Sequence, residues 1–316
     1  MKSQQPHNCI LVAGSVAYDE IMNFPSQFLD YFLPDKLHQI NVSFVVDRLE
    51  KQLGGTATNI SYNIKLATKK PVILLGAVGK DGDTFIKFCR AHRIDVRNVI
   101  RDKRLYTATG KVITDKRDNQ IWGFYYGASI RGKDISLGQY KNKKCILVIS
   151  STHEKAFLNF QRQAIQLRIP YLYDPGMSLT WIKPRDLKAG VSHCRWLVGN
   201  DYEIARILQL LNTTVNALAQ EGIGVITTLG EKGVQYRDVK HFFVVPSCSI
   251  QKTIDPTGAG DAWRAGFLAG IVDEKPLLEC LRQANAVASF AVEQYGTLNH
   301  HPSPRELAKR VQAIKL

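Results

Sequence analysis

Short, wholly apolar segments recur along this chain and alternate with stretches of helical spacing. Four or five apolar residues without polar alternation are typical of a strand buried on both faces. Strands that alternate with helices predict a mostly parallel sheet covered on both sides, so we expect an α/β fold with three layers. The predicted strands are residues 10–13, 72–75, 145–149, 171–173, 196–198 and 224–228, and the predicted helices are residues 58–66, 84–92, 154–167 and 202–211.

Two β-rich stretches fall outside this rhythm. Residues 42–46 are too few for a helix, and residues 107–114 and 120–126 flank a polar turn at 115–119, which is typical of a hairpin. We expect both stretches to form a small separate sheet, built from insertions at about 16–51 and 104–129, in one domain of residues 1–316. Such a sheet would act as a lid over a site at the strand ends.

The charge and cysteine content limit the classes of partner and compartment. Lys plus Arg number 42 against 28 Asp plus Glu, a net charge of +14 that favours anionic partners. The basic residues are scattered and no nucleic-acid-binding signature accompanies them, so we expect nucleotides and not nucleic acid. The six cysteines lie far apart without a CxxC pair, which indicates reduced thiols in a cytoplasmic protein. The apolar run at residues 9–17 is too short to span a membrane, so we expect no membrane contact.

The most informative motif is DPTGAGD at residues 255–261, which opens a helical pattern. Gly258 and Gly260 allow a tight turn that points successive N–H groups at one spot, and the helix start adds partial positive charge there. Asp261 would accept a proton from a hydroxyl while the amides of Gly258, Ala259 and Gly260 stabilise a phosphoryl group. The alternative is a plain tight loop with an acid that completes the helix start.

Two motifs near the N-terminus are suited to a polyol. Gly54 and Gly55 in LGGTATN permit a ligand to approach the backbone, and Asn59 offers both the donor and the acceptor that a sugar diol requires. Asp19 in GSVAYD follows the first predicted strand, where ligands of open α/β sheets bind. The alternatives are an ordinary helix start at Asn59 and a solvated turn acid at Asp19.

Two later motifs follow predicted strands. In GNDYE at 199–203, Asn200 and Glu203 are one helical turn apart, the spacing for a shared water or Mg²⁺ shell around phosphates. The alternative for Asn200 is a helix cap. The second motif is TTLGEKG at 227–233, with Thr228, Gly230 and Gly233. A simple turn after a strand would give the same residue pattern.

These motifs, in this order from about residue 10 to 297, resemble the ribokinase (PfkB) family, whose signature is similar to DPTGAGDAWRAGFLAG. The resemblance implies a ribokinase-like fold with a β-sheet lid, ATP with Mg²⁺, and Asp261 as catalytic base. A monovalent cation such as K⁺ and a homodimer are further expectations. The implied substrate-binding residues are Ser15, Asp19, Gly54, Gly55 and Asn59. The implied ATP-binding residues are Asn200, Thr228, Gly230, Gly233 and Asp255, with Glu203 and Asn200 reaching Mg²⁺ through water.

The region 28–59, with LPDKLH at 33–38 and SFVVD at 43–47, is similar to bacterial adenosine kinases of the mycobacterial type. This implies that Ser43 and lid aromatics such as Phe124 contact a nucleoside. Phe44, Trp122 and Tyr126 would add a stacking surface for a purine, or else form the lid's own core.

The sequence departs from those adenosine kinases after Asp174 and Pro175, where Gly176, Met177 and Ser178 replace glutamines, so another nucleoside stays open. We expect ATP-dependent phosphorylation of the 5′-hydroxyl of adenosine to AMP, in purine salvage. The alternatives are another nucleoside kinase, a ribokinase- or fructokinase-like sugar kinase, and a non-catalytic ligand-binding relative.

Overall fold

The computed structural model describes residues 7–32, 39, 41–117 and 119–315, so residues 33–38 and Asp118 of the predicted lid lie outside the described residues. The strands are β1 Cys9–Ala13, β2 Ala17–Asn23, β3 Arg48–Gly54, β4 Val72–Leu75, β5 Ala77–Val78, β6 Ile100–Arg101, β7 Ala108–Thr114, β8 Gln120–Tyr125, β9 Cys145–Ile149, β10 Tyr171–Tyr173, β11 Trp196–Asn200, β12 Gly224–Thr228, β13 Val234–Arg237 and β14 Phe242–Val245. The α-helices are α1 Thr56–Ala67, α2 Asp83–Ala91, α3 Glu154–Leu167, α4 Pro184–His193, α5 Asp201–Leu211, α6 Val215–Gln220, α7 Ala259–Val272, α8 Leu277–Val292 and α9 Pro304–Ala313. No helix of the described ranges is long and apolar enough to cross a membrane.

An eight-stranded sheet in the order β14-β13-β12-β11-β10-β9-β1-β4 forms the central layer. It contains all six predicted strands, and these pair in parallel, whereas β13 and β14 are antiparallel. Because the six strands are parallel, their carboxyl ends meet at one edge, where ligands of open α/β sheets bind.

Helices cover both faces of this sheet. Ile10 and Val12 of β1 belong to a buried cluster with residues of α1, α2, α7 and α8. Leu11 and Ala13 belong to a second buried cluster with residues of α3, α4 and α5. Successive strand residues thus serve opposite faces, which explains why the strands are apolar throughout. The predicted three-layer ribokinase-like α/β fold is confirmed.

The lid is a separate four-stranded sheet in the order β3-β2-β7-β8. β2, β7 and β8 lie within the two predicted insertions, whereas β3 runs past the predicted bound at 51 to Gly54, and the predicted hairpin at 107–126 is the antiparallel pair β7 and β8. The prediction of a strand at 42–46 was wrong: those residues are irregular, and the strand β3 begins at Arg48. Phe44 packs instead against Phe24 and Phe28, with ring centroids 4.8 and 5.0 Å apart. Phe44 therefore belongs to the lid's own core.

The expectation of six reduced thiols was also wrong. Cys9 and Cys145 form a disulfide, because β1 and β9 are neighbours and their register pairs these two residues. Their separation of 136 residues in the sequence hid this proximity. Cys89, Cys194, Cys248 and Cys280 are free and buried.

We predict that Asp115→Ala loosens the lid without unfolding the central sheet. The Asp115 carboxylate is buried and accepts hydrogen bonds from the amides of Phe28, Arg117 and Asn119, so it ties the β7–β8 turn to the segment that follows β2. Loss of these bonds should speed hydrogen exchange at those three amides by about tenfold or more. The control is Asp238→Ala, which removes the same kind of turn bonds between β13 and β14. Unchanged exchange at Phe28 in the Asp115 variant would contradict the prediction.

Candidate active site

A cavity of about 290 Å³ lies at the carboxyl ends of the parallel strands, under the lid. Residues of the lid, of the loops that follow the central strands and of three helix starts line it. They include Ser15, Asp19, Gly55, Asn59, Phe124, Ser150, Asp174, Gly176, Met177, Glu203, Asp261 and Arg264.

The start of α7 forms one wall of this cavity. Gly258 precedes the helix with φ +80°, a conformation that favours glycine, and Gly260 is exposed. Among the described residues no main-chain acceptor is found for the amides of Gly258 and Gly260. The amide of Ala259, however, donates to the carbonyl of Pro256 at 3.2 Å. The Ala259 amide is thus already engaged, the amides of Gly258 and Gly260 are the better placed donors, and binding of a phosphoryl group by the three stays a prediction.

Asp261 lies in the first turn of α7 and is half-buried. Burial raises the pKa of its carboxyl group to about 7, although a hydrogen bond from Asn59 and the charge of Arg264 lower it. Asn59 Nδ2 donates to Asp261 Oδ2 at 2.8 Å. A carboxylate with a pKa near neutrality can accept a proton from a hydroxyl and release it again, as a general base requires.

Thr297 orients the Asn59 side chain, and no sequence signal pointed to this residue. Its Oγ1 donates to Asn59 Oδ1 at 2.9 Å, across 238 residues of sequence. Both residues are buried. Because the amide oxygen is engaged by Thr297, the amide NH₂ group faces Asp261.

The glycine turn and the first strand shape the opposite wall. Gly55 has φ +84°, and a Cβ there would lie 2.5 Å from the amide nitrogen of Ala17, so no other residue fits. Ser15 Oγ accepts from the amide of Thr56 at 3.0 Å and holds the start of α1. The half-buried carboxyl group of Asp19 lies against Gly54, and burial raises its pKa to about 6. These predicted residues therefore meet Asn59 and Asp261 at one cavity.

A buried ion pair completes the wall, and the sequence motifs did not reveal it. Arg264 Nη2 donates to Asp174 Oδ1 at 2.6 Å, and Arg264 Nε lies 2.5 Å from Asp174 Oδ2. Arg264 Nη1 donates to the carbonyl of Gly260 at 2.9 Å, and Ser150 Oγ donates to Asp174 Oδ2 at 3.0 Å. Arg264 stands inside the DAWRAG motif, but helical spacing alone does not show that its side chain is buried against residue 174.

Asn200 and Glu203 form a capping box at the start of α5. Asn200 Oδ1 accepts from the Glu203 amide at 2.7 Å, and Glu203 Oε2 accepts from the Asn200 amide at 2.8 Å. The cap alternative for Asn200 is thus correct, and its amide oxygen is already engaged. Glu203 also lines the cavity, and burial, followed by the charge of Asp174, raises its pKa. Contact of Asn200 and Glu203 with ATP or Mg²⁺ stays a prediction.

The remaining predicted ATP-binding residues lie outside the cavity lining. Thr228 ends β12, and Gly230 and Gly233 have φ +57° and +91° in the turn to β13. Their contact with ATP stays a prediction. The Asp255 carboxylate accepts from the amides of Thr257 and Gly296, both at 2.9 Å. Asp255 therefore holds the loop before α7 in place, and its predicted contact with ATP stays a prediction.

Of the predicted lid contacts, the structure brings Phe124 to the cavity and leaves Ser43 outside it. Phe124 lines the cavity, and its ring packs at 5.0 Å from that of Tyr126. Trp122 is 55% exposed. Ser43 is exposed on the irregular segment before β3 and is not part of the cavity lining, so its contact with a substrate stays a prediction.

Comparisons with known proteins agree with this geometry. The profile of the pfkB family of carbohydrate kinases matches residues 14–304. A nucleoside kinase of Methanothermobacter thermautotrophicus is 31% identical over 313 residues, which cover 96% of each chain. The Burkholderia thailandensis nucleoside kinase in complex with inosine has a TM-score of 0.86 at 25% identity, covering 96% of this chain and 97% of that one. The same protein with ADP-inosine has a TM-score of 0.82 at 27% identity, covering 96% and 95%. The nucleoside kinase of Methanocaldococcus jannaschii has a TM-score of 0.86 at 27% identity, covering 97% and 99%.

We predict that Thr297→Val lowers kcat/KM by about tenfold, because the Asn59 amide loses the hydrogen bond that orients it towards Asp261. Thr297→Ser keeps the hydroxyl and should retain most of the activity. Steady-state release of ADP in the presence of a nucleoside measures both variants. Equal losses in the Val and Ser variants would show that packing, and not the hydroxyl, accounts for the effect.

Proposed function

This chain belongs to the pfkB family of carbohydrate kinases, and from this premise we propose that it transfers the γ-phosphoryl group of ATP to the 5′-hydroxyl of a nucleoside. One observation carries the proposal. The Asp261 carboxylate, with a pKa of about 7, stands at a helix start beside two amides without main-chain acceptors, in a cavity under a lid. Nucleoside as the acceptor class rests on the similarity to the nucleoside kinases described above.

Each wall of the cavity has a part in this reaction. Asp261 would accept the proton of the 5′-hydroxyl as that oxygen attacks the γ-phosphorus. The amides of Gly258 and Gly260 would donate to the phosphoryl oxygens, where the positive end of α7 also acts. Asp19 and Asn59 would bind the ribose hydroxyls, and Phe124 would cover the nucleoside and keep water from the phosphoryl group.

The residues present fit Mg²⁺ held through water. Glu203 presents a half-buried carboxylate to the cavity, and its Oε1 is not used in the capping box. Mg²⁺ bound with ATP would neutralise charge on the phosphates. A monovalent cation such as K⁺ and a homodimer remain predictions.

The finer proposal is adenosine as acceptor and AMP as product, in purine salvage. Its support is the aromatic pair of Phe124 and Tyr126 beside the cavity, which would stack on a purine. Gly176 and Met177 line the cavity where glutamines would recognise adenine, so inosine competes with adenosine for this assignment.

A substrate panel tests the acceptor. Adenosine, inosine, guanosine, cytidine, ribose and fructose are offered with Mg-ATP, and ADP release is measured. We expect the best nucleoside to exceed both sugars in kcat/KM by about a hundredfold or more, because a free sugar leaves the aromatic surface uncovered. A sugar that equals the best nucleoside would replace the nucleoside proposal with a sugar kinase.

We predict that Asp261→Asn lowers kcat by about 10²–10⁴-fold, because the amide cannot accept the hydroxyl proton. In the unsubstituted protein kcat/KM should fall as the pH drops below about 7, where Asp261 becomes protonated. The control is Asp273→Asn at the other end of α7, where the carboxylate accepts from Thr68 and does not line the cavity. Near-normal turnover of the Asp261 variant would remove this residue from the mechanism.

A further inference from the structure

We propose that Arg264, clamped by Asp174, is a positioning residue that braces the Gly260 carbonyl at the start of α7 and places a positive charge beside Asp261. This inference rests on the proposed phosphotransfer. It assigns a role to a buried ion pair that binds no substrate group in the proposed mechanism and for which the sequence analysis proposed no role.

The clamp joins three separate elements. Asp174 follows β10, Ser150 follows β9, and Arg264 comes one turn after the start of α7. The planar guanidinium donates from Nη2 to the Asp174 carboxylate and from Nη1 to the Gly260 carbonyl, while Nε lies within ion-pair distance of Asp174 without donating a hydrogen bond. A fork of this kind fixes direction as well as distance, which a single ammonium group cannot do. The peptide whose carbonyl is braced joins Gly260 to Asp261, so the clamp limits rotation of the backbone that carries the proposed base.

Arg264 is 6% and Asp174 4% exposed, so their interaction is little screened by water. A buried ion pair is a costly way to gain stability, since an apolar pair of similar volume is often as good. The Arg264–Asp174 pair lies next to a helix start that should bind phosphate, and holding that helix start in position gives a reason for the pair other than stability.

Four charged residues face Asp261. Asp19 faces it from β2, Asp174 from the loop after β10, Glu203 from α5 and Arg264 from α7, whereas α1 contributes the uncharged Asn59. Among the described residues that line the cavity, Arg264 alone carries a positive charge. After burial and the Asn59 hydrogen bond, Arg264 lowers the pKa of Asp261 and Asp174 raises it.

Two charge-removing variants test the electrostatic role of Arg264. Arg264→Gln removes the positive charge, so the acid limb of the kcat/KM profile should move to higher pH. Asp174→Asn removes a negative charge and exposes Asp261 to an unneutralised guanidinium, so the limb should move to lower pH. We expect each shift to be roughly half a pH unit or more. Loss of packing alone would lower activity in both variants without moving the limbs in opposite directions.

Arg264→Lys separates the two roles. The lysine keeps a positive charge for Asp174 but cannot reach Asp174 and Gly260 together, so this variant should fold, keep the wild-type acid limb and lose about tenfold or more in kcat. The matched control is Asp95→Asn, because Arg97 donates to both oxygens of Asp95 outside the cavity. That variant should leave the pH profile unchanged.

Failure of the proposal for Arg264 can be told apart from failure of the proposed function. A wild-type protein that releases no ADP with any nucleoside overturns the phosphotransfer proposal itself. A wild-type protein that turns over, with variants at 174 and 264 whose acid limbs move together or stay fixed, overturns the electrostatic role. Full kcat in Arg264→Lys overturns the bracing role, and this measurement decides that point even if Asp174→Asn does not fold.

Discussion

The hydrogen bond between Asn59 and Asp261 is the contact on which the site depends. It joins the starts of α1 and α7, two helices that pack on the same face of the central sheet. Each helix start is preceded by a glycine with positive φ, Gly55 and Gly258, so the backbone turns sharply into each helix and exposes N–H groups there. One side-chain bond thereby holds the wall proposed to bind the ribose hydroxyls and the wall proposed to bind phosphate at a fixed distance.

The space inside the cavity depends on residues without side chains. A Cβ on Gly54 would overlap the Asp19 carboxylate at 2.0 Å, and one on Gly176 would lie 2.8 Å from Ser151 Oγ. Asp19 can therefore face the cavity only because Gly54 leaves room for it. Gly176 likewise leaves room beside Asp174, and it gives that side of the cavity no amide side chain with which to recognise a nucleobase.

The sequence predicted what is local and left out what is long-range. Apolar runs gave the parallel strands because each buried residue is itself apolar, and the glycine turns identified the starts of α1 and α7. Thr297, Asp174 and the Cys9–Cys145 disulfide escaped because their partners lie 238, 90 and 136 residues away. The prediction of a lid strand at 42–46 was wrong because apolar residues there are also what an irregular segment needs when its aromatic side chain, Phe44, packs into the lid's core.

The same long-range contacts bear on how a buried acid at this site would act as the base of the proposed reaction. Asp19, Asp174, Glu203 and Asp261 converge on one small cavity. Burial raises the pKa of Asp19, Glu203 and Asp261, and the charge of Arg264 lowers the pKa of Glu203 and Asp261. The outcome is a carboxyl group whose pKa stays close to neutrality, although three other acids surround it. The proposed phosphotransfer calls for a base of that strength, and the pKa of Asp261 is set first by burial, then by the Asn59 hydrogen bond, and then by the opposed charges of Arg264 and the neighbouring acids.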